Sequence, residues 1–327
     1  MRKPISILLL IAMIISVITV LPLTATAEDE EAFTAVQLSL GYNIGITYYT
    51  NIDYVSGITA QVTINGRTDT VKAAYANGKI SFSFNGIAPH ELGATISTEV
   101  YKNNAATGIT NETTVKEVCE LYLETPFINY DESVKSGIYK LVSNLLQYGE
   151  YARIYKGVSG SIISDITSEN YVPDELVTPT GTSTTGSSNE NLSLRGLNVF
   201  FDTMNRYYIK FTSTDISKVK FMIGNNVYTE FGEDSGYYFF YTNPVSAKDT
   251  NDVISIKGYY NNEIASEINY SIEQYIIDLV SISASTNMQN LAKSLYKYGE
   301  SATVYARLSF QTVGFDDGGF YGSGDSL

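Results

Sequence analysis

The residues of this chain that could do chemistry are few. It has one histidine, His90, and one cysteine, Cys119. A nucleophilic thiol needs a neighbouring base to take its proton. His90 follows Pro89 in a turn, where side chains are usually solvated, and its counterpart in the second half of the chain is Lys248. Cys119 reads as a small buried hydrophobe, and as a single cysteine it can form no disulfide within the chain. No HExxH, GxSxG, Gly-rich phosphate loop or CxxC occurs. The chain has 35 acidic residues, so any carboxylate pair chosen for glycoside hydrolysis would be arbitrary. The expectation is a protein that is not an enzyme.

Charge and composition narrow the partners. The net charge is −14, which opposes binding to nucleic acid or to an anionic membrane, since both rely on basic patches. No cofactor is expected. Calcium is the metal that an acidic extracellular chain would take, and Glu233-Asp234, Asp249 with Asp252, and Asp316-Asp317 are the acidic clusters. None has the DxDxDG spacing with a closing glutamate, and each reads as a solvated turn.

Aromatic residues carry more information. Trp is absent, whereas Tyr reaches 27 and Phe 14, so any stacking surface must be built from those two. Neighbouring residues in a strand point to opposite faces, so a Tyr-Tyr doublet in a strand sends one ring outward. The segment YYFFY, 237–241, has as its counterpart ISFSF, 80–84, in either of two registers one residue apart, and there serines alternate with apolar residues. The second copy is therefore aromatic on both faces. The extra rings are expected either to be roofed by helices, the favoured outcome, or to form an exposed ligand face. The candidate ligand face is Tyr237, Tyr238, Phe240, Tyr259 and Tyr260, with polysaccharide or another surface protein as partner.

The elements that hold these residues come twice. LVSNLLQYGEYARIY (141–155) and LAKSLYKYGESATVY (291–305) share seven of fifteen residues, including Tyr148/Tyr298 and Gly149/Gly299. Upstream, 87–104 aligns on 245–262 through Ile96/Ile254, Tyr101/Tyr259, Asn103/Asn261 and Asn104/Asn262. Such duplication sets the domain plan. Module 1 spans 36–157 and module 2 spans 191–307. The intervening 158–190 ends in TPTGTSTTGSSNE, a composition that reads as a flexible linker, and two modules so joined suit avid binding. Residues 308–327 read as a Gly/Asp-rich disordered tail.

Within each module strands precede helices. ISFSF alternates, Asn65-Gly66 marks a hairpin turn, and TVKEVCELYLE (114–124) and SIEQYIIDLVS (271–281) turn helical. Leu141, Leu145, Tyr148, Ala152 and Tyr155 recur at helical spacing as one apolar stripe. A mid-helix glycine costs about 1 kcal/mol. Its presence in both copies predicts a close backbone approach at Gly149 and Gly299.

The N-terminus sets the address. Arg2 and Lys3 precede an apolar run from Ile5 to Leu21, and Ala25-Thr26-Ala27 supplies a small-residue cleavage site. This is the order of a secretory signal peptide, residues 1–27, followed by a short tail, 28–35.

The repeated pattern resembles a module found in secreted and surface proteins of anaerobic gram-positive gut bacteria. That module is rich in strands and ends in a Leu-x-x-Tyr-Gly-x-x-Ala-x-x-Tyr helix. The motif implies a surface location and no particular activity. The expected fold is α+β: two tandem β-sandwich-like (Ig-like) modules, each closed by two C-terminal helices. The expected function is non-catalytic adhesion or binding at the cell surface, with an envelope spacer or a carboxylate-based glycan hydrolase as alternatives.

Overall fold

The computed structural model describes residues 21–22, 32–76, 78–182, 186–201 and 203–312. Residues 1–27, expected to form a signal peptide, lie almost wholly outside these residues, as do Asp316-Asp317 and the tail beyond Thr312.

The described residues form four antiparallel sheets and four helices. In the first half, one sheet, here the front sheet, orders its strands Phe33–Leu40, Ile44–Thr50, Lys79–Ile87 and Ala74–Ala76, with Leu21–Pro22 along its outer edge. The back sheet orders Arg67–Lys72, Ile58–Ile64, Ile96–Lys102 and Ala105–Thr113. Helices α1 (Val115–Glu124) and α2 (Glu132–Lys156) follow. The second half repeats this order. Its front sheet is Leu192–Phe200, Arg206–Ser213, Tyr237–Tyr241 and Gly232–Asp234. Its back sheet is Ser187–Ser188, Glu263–Tyr270, Ile254–Tyr260, Val219–Ile223 and Asn226–Tyr228. Helices α3 (Ile272–Ser281) and α4 (Thr286–Thr312) close it. The strand Leu21–Pro22 falls within the expected signal peptide, the next begins at Phe33, inside the expected tail, and α4 runs five residues past the expected end of module 2.

Local chemistry explains these elements. Asn65-Gly66, Asn103-Asn104 and Asn261-Asn262 all have positive φ, the geometry of two-residue hairpin turns. The aligned Asn-Asn pairs therefore make the same turn in both halves. Thr114 caps α1 by accepting from the Glu117 amide at 3.0 Å, while the Glu117 carboxylate accepts from the Thr114 amide at 2.8 Å. Ser271 caps α3 by accepting from the Gln274 amide at 3.2 Å. Gly157 ends α2 in the left-handed conformation.

The paired glycines report what packs on each long helix. A Cβ on Gly149 would lie 2.4 Å from Leu92 Cδ1 and 3.0 Å from the Pro89 carbonyl oxygen. One on Gly299 would lie 3.0 Å from Asn251 Oδ1 and 3.2 Å from the Ala247 oxygen. Pro89 and Ala247 begin the same 3-10 turn in the two halves, Pro89–Glu91 and Ala247–Asp249. Each helix thus lies directly on its own half's turn.

The apolar stripe does more than face its own half. Tyr148 and Tyr298, equivalent residues, stack with ring centroids 5.8 Å apart and planes 14° apart. The Tyr148 hydroxyl donates to Asn205 Oδ1 at 3.0 Å, and Asn144 Nδ2 to the Lys297 carbonyl at 3.3 Å. Gly137 approaches Tyr305 and Leu308, so α2 and α4 run antiparallel. The Ala247 amide also reaches the Gly41 carbonyl across the halves. One buried apolar cluster continues through both. Tyr155 departs from the expected stripe: it is exposed, whereas Tyr305 is buried. Gly137 leaves room for the Tyr305 ring, and the matching position in α4 is the bulkier Asn287.

Within the expected linker, residues 162–174 and 187–188 are held against the two halves. Ile162 is buried and its amide donates to Glu150 Oε2 at 2.7 Å. The Val172 amide donates to Ser143 Oγ at 2.9 Å, and the Asp174 amide to Asn144 Oδ1 at 2.8 Å. Lys140 Nζ lies 2.8 Å from Asp174. Further on, Ser187 and Ser188 pair with Glu267 and Ser266 at the back-sheet edge of the second half. Polar side chains gave the segment a linker-like composition, but they bind α2 and that edge by hydrogen bonds.

Candidate functional site

On the outward side of the second half's front sheet several large aromatic groups gather at the surface; in the first half the exposed Tyr54 and Tyr75 stack as a pair, 5.0 Å between centroids. Alternation along the strands builds the larger group. Tyr207, Ile209 and Phe211 are buried, which sends Tyr208 and Lys210 outward. Registers Tyr208↔Tyr241 and Lys210↔Phe239 set Tyr241 and Phe239 beside them. Phe200, at the end of its strand, pairs with Arg206 on the same sheet. Phe200, Tyr237 and Tyr241 are 44%, 36% and 39% exposed.

These rings form an arc. Phe200 meets Tyr241 at 5.4 Å between centroids, Tyr241 meets Tyr208 at 5.2 Å, and Tyr208 meets Phe239 at 5.4 Å. The interplanar angles are 70°, 53° and 36°, so the rings are tilted against one another. Gly232 lies under Phe239: a Cβ there would fall 2.4 Å from the ring, so any other residue would displace it. With Asn198, Val199, Glu233 and Asp234, the arc borders an open hollow of about 440 Å³. Burial, with Tyr241 and Asp234 nearby, pushes the Tyr208 hydroxyl's pKa up, so it stays a protonated donor at neutral pH. Lys210 Nζ sits 4.1 Å from the Tyr237 ring centroid.

The structure splits the expected ligand face. Tyr237 is on it. Tyr238 and Phe240 point inward: Phe240 is 5% exposed and packs on Phe221 at 4.9 Å, and Tyr238 lies 5.7 Å from Phe211. The strand register, with Phe211 opposite Tyr238, forces this. Tyr259 and Tyr260 belong to the back sheet, opposite Lys220 and Val219, where lysines lie over both rings. The sequence reading missed Phe200, Tyr208, Phe239 and Tyr241. The signal was in ISFSF, whose serines mark the outward positions that Tyr237 and Phe239 occupy in the second copy. Among the described residues no helix roofs Phe200, Tyr237 and Tyr241, which stay exposed.

Elsewhere, the acid and nucleophile candidates have structural roles. Cys119 is fully buried, and burial pushes its thiol pKa well up, away from the thiolate. His90 is half-buried in the turn at Pro89–Glu91. Asp249 accepts from Ser246 Oγ at 2.5 Å and pairs with Lys248. Among the described residues no three His, Cys, Asp or Glu side chains gather to hold a metal ion, and no helix is long and apolar enough to cross a membrane. Burial alone would raise the Glu150 carboxyl's pKa. Hydrogen bonds from Arg153 and the Ile162 amide outweigh it and hold the group below the ordinary carboxylate value.

No protein-family model matches the chain, and no curated protein matches it either.

Proposed function

We propose that the chain is a secreted, non-catalytic binding protein of the bacterial cell surface, and that the aromatic arc of its second half is the ligand face. In this reading each half is an Ig-like β-sandwich module with two closing helices, and the ligand is a carbohydrate. One observation carries it. At the outward positions of equivalent strands, the first half has Ser81, Ser83 and Asn85, and the second has Tyr237, Phe239 and Tyr241. A soluble surface gains nothing by replacing hydroxyls with rings, and an exposed aromatic patch rimmed by polar groups marks a site of interaction. Rings of this kind stack on the apolar faces of sugars, while Tyr208, Asn198 and the two carboxylates offer hydrogen bonds.

The test is retention of the full chain on insoluble polysaccharides and purified cell-wall fractions. Retention that disappears in the Phe239→Ser/Tyr241→Asn protein, with circular dichroism unchanged, supports the reading. Absence of retention on every matrix overturns the carbohydrate ligand and leaves the envelope spacer as the better account.

A further inference from the structure

We infer that the hollow takes a glycan bearing free amino groups. This rests on the ligand-face reading above and narrows it.

Two features of the hollow point to positive charge. The first is the shape of the arc. Coplanar rings make a platform for flat, uncharged sugars. Here the rings of Phe200, Tyr241, Tyr208 and Phe239 are tilted by 36–70° to their neighbours, so π-faces and edges approach the hollow from several directions. The negative faces of such rings attract ammonium groups. The face already does so once, since the Lys210 ammonium lies 4.1 Å from the Tyr237 centroid. The second feature is the acid pair. Glu233 and Asp234 line the same hollow, and among the described residues neither forms an ion pair with Lys or Arg. Asp234 accepts one hydrogen bond, from Ser235 Oγ at 2.9 Å. Two carboxylates beside stacked rings, on a chain of net charge −14, repel acidic glycans and favour a protonated amine. Asn198 and the Tyr208 hydroxyl, facing the same space, suit sugar hydroxyls more than an aliphatic peptide side chain.

The test is calorimetric titration of the full chain with glucosamine oligosaccharides and with their N-acetylated counterparts, at matched ionic strength. The free-amine form should bind about tenfold more tightly, the size that one cation–π contact and one exposed ion pair give together. The advantage should fall to about threefold, the cation–π part alone, in Glu233→Gln/Asp234→Asn, and shrink as pH rises through the amine pKa. Equal binding of both forms, lost on Tyr241→Ala, would overturn the amino selectivity and leave the ligand face standing. Failure of both forms to bind would overturn both readings. Binding of oligolysine without either saccharide would keep the charge preference and overturn the glycan.

Discussion

The two front sheets share an inward face and differ in their outward one. Tyr48 and Phe82 pair in the first half where Phe211 and Tyr238 pair in the second. Core positions stay large and apolar because a vacated volume costs stability. Outward, the first half is closed on itself: Thr47 and Ser83 hydroxyls bond at 2.9 Å, and the Tyr49 hydroxyl donates to Gln37 at 2.7 Å. The second half presents rings beside Glu233 and Asp234, which among the described residues form no ion pair with Lys or Arg. Packing holds one side of a sheet constant, and the other side is free to acquire a task.

Substitutions that treat the halves alike or apart can test this. The largest effect is expected at the shared helix contact. Tyr298→Ala should cost about 3–5 kcal/mol, as for other buried aromatics, measured by urea unfolding. If the halves are one cooperative unit, the single transition shifts as a whole; a second transition that stays put would break that picture. Next come the glycines. Gly149→Ala should destabilise by about 1–3 kcal/mol through overpacking against Leu92 and the Pro89 carbonyl. Gly299→Ala meets Asn251 Oδ1 and the Ala247 carbonyl less closely than Gly149→Ala meets Leu92, and the gain in helix propensity offsets part of the strain, for a cost of about 1 kcal/mol. Equal costs would show that the two turns are equally rigid.

Acid should separate the halves less strongly. The hydrogen bonds at Glu150 hold its folded pKa below the unfolded carboxylate value of about 4.3. Their contribution is complete above that value and is lost as pH falls through the folded one. Unfolding followed from pH 6 to pH 3 should therefore be less steep in pH for Glu150→Gln than for the native chain. The smallest stability effect belongs to the exposed face. Giving the second half the first half's residues, Tyr237→Ser, Phe239→Ser and Tyr241→Asn, should change stability by about 1 kcal/mol or less.

Much of the fold was legible because local chemistry repeats. The Asn-Asn turns, the Thr114 and Ser271 caps and the Tyr-Gly-Glu helices could be read by aligning the chain with itself. The outward rings were half legible. Period-two alternation named YYFFY, but phase decides which rings emerge, and phase is set by cross-strand partners far along the chain. The contact between halves was not legible. A stripe of Leu, Tyr and Ala looks the same whether it meets its own sheet or another helix. Nor did the Ser-rich composition of 158–174 show that its amides bind Ser143 and Asn144.

The stacking of Tyr148 on Tyr298 sets like against like, as in the isologous interface of a two-fold homodimer. Written into one chain, that association no longer depends on concentration: dilution cannot separate the halves. The covalent link also lifts a constraint. In a homodimer every substitution appears on both subunits, so an aromatic face would come in pairs. Here the copies are free to diverge, and the second carries Tyr237, Phe239 and Tyr241 where the first carries Ser81, Ser83 and Asn85.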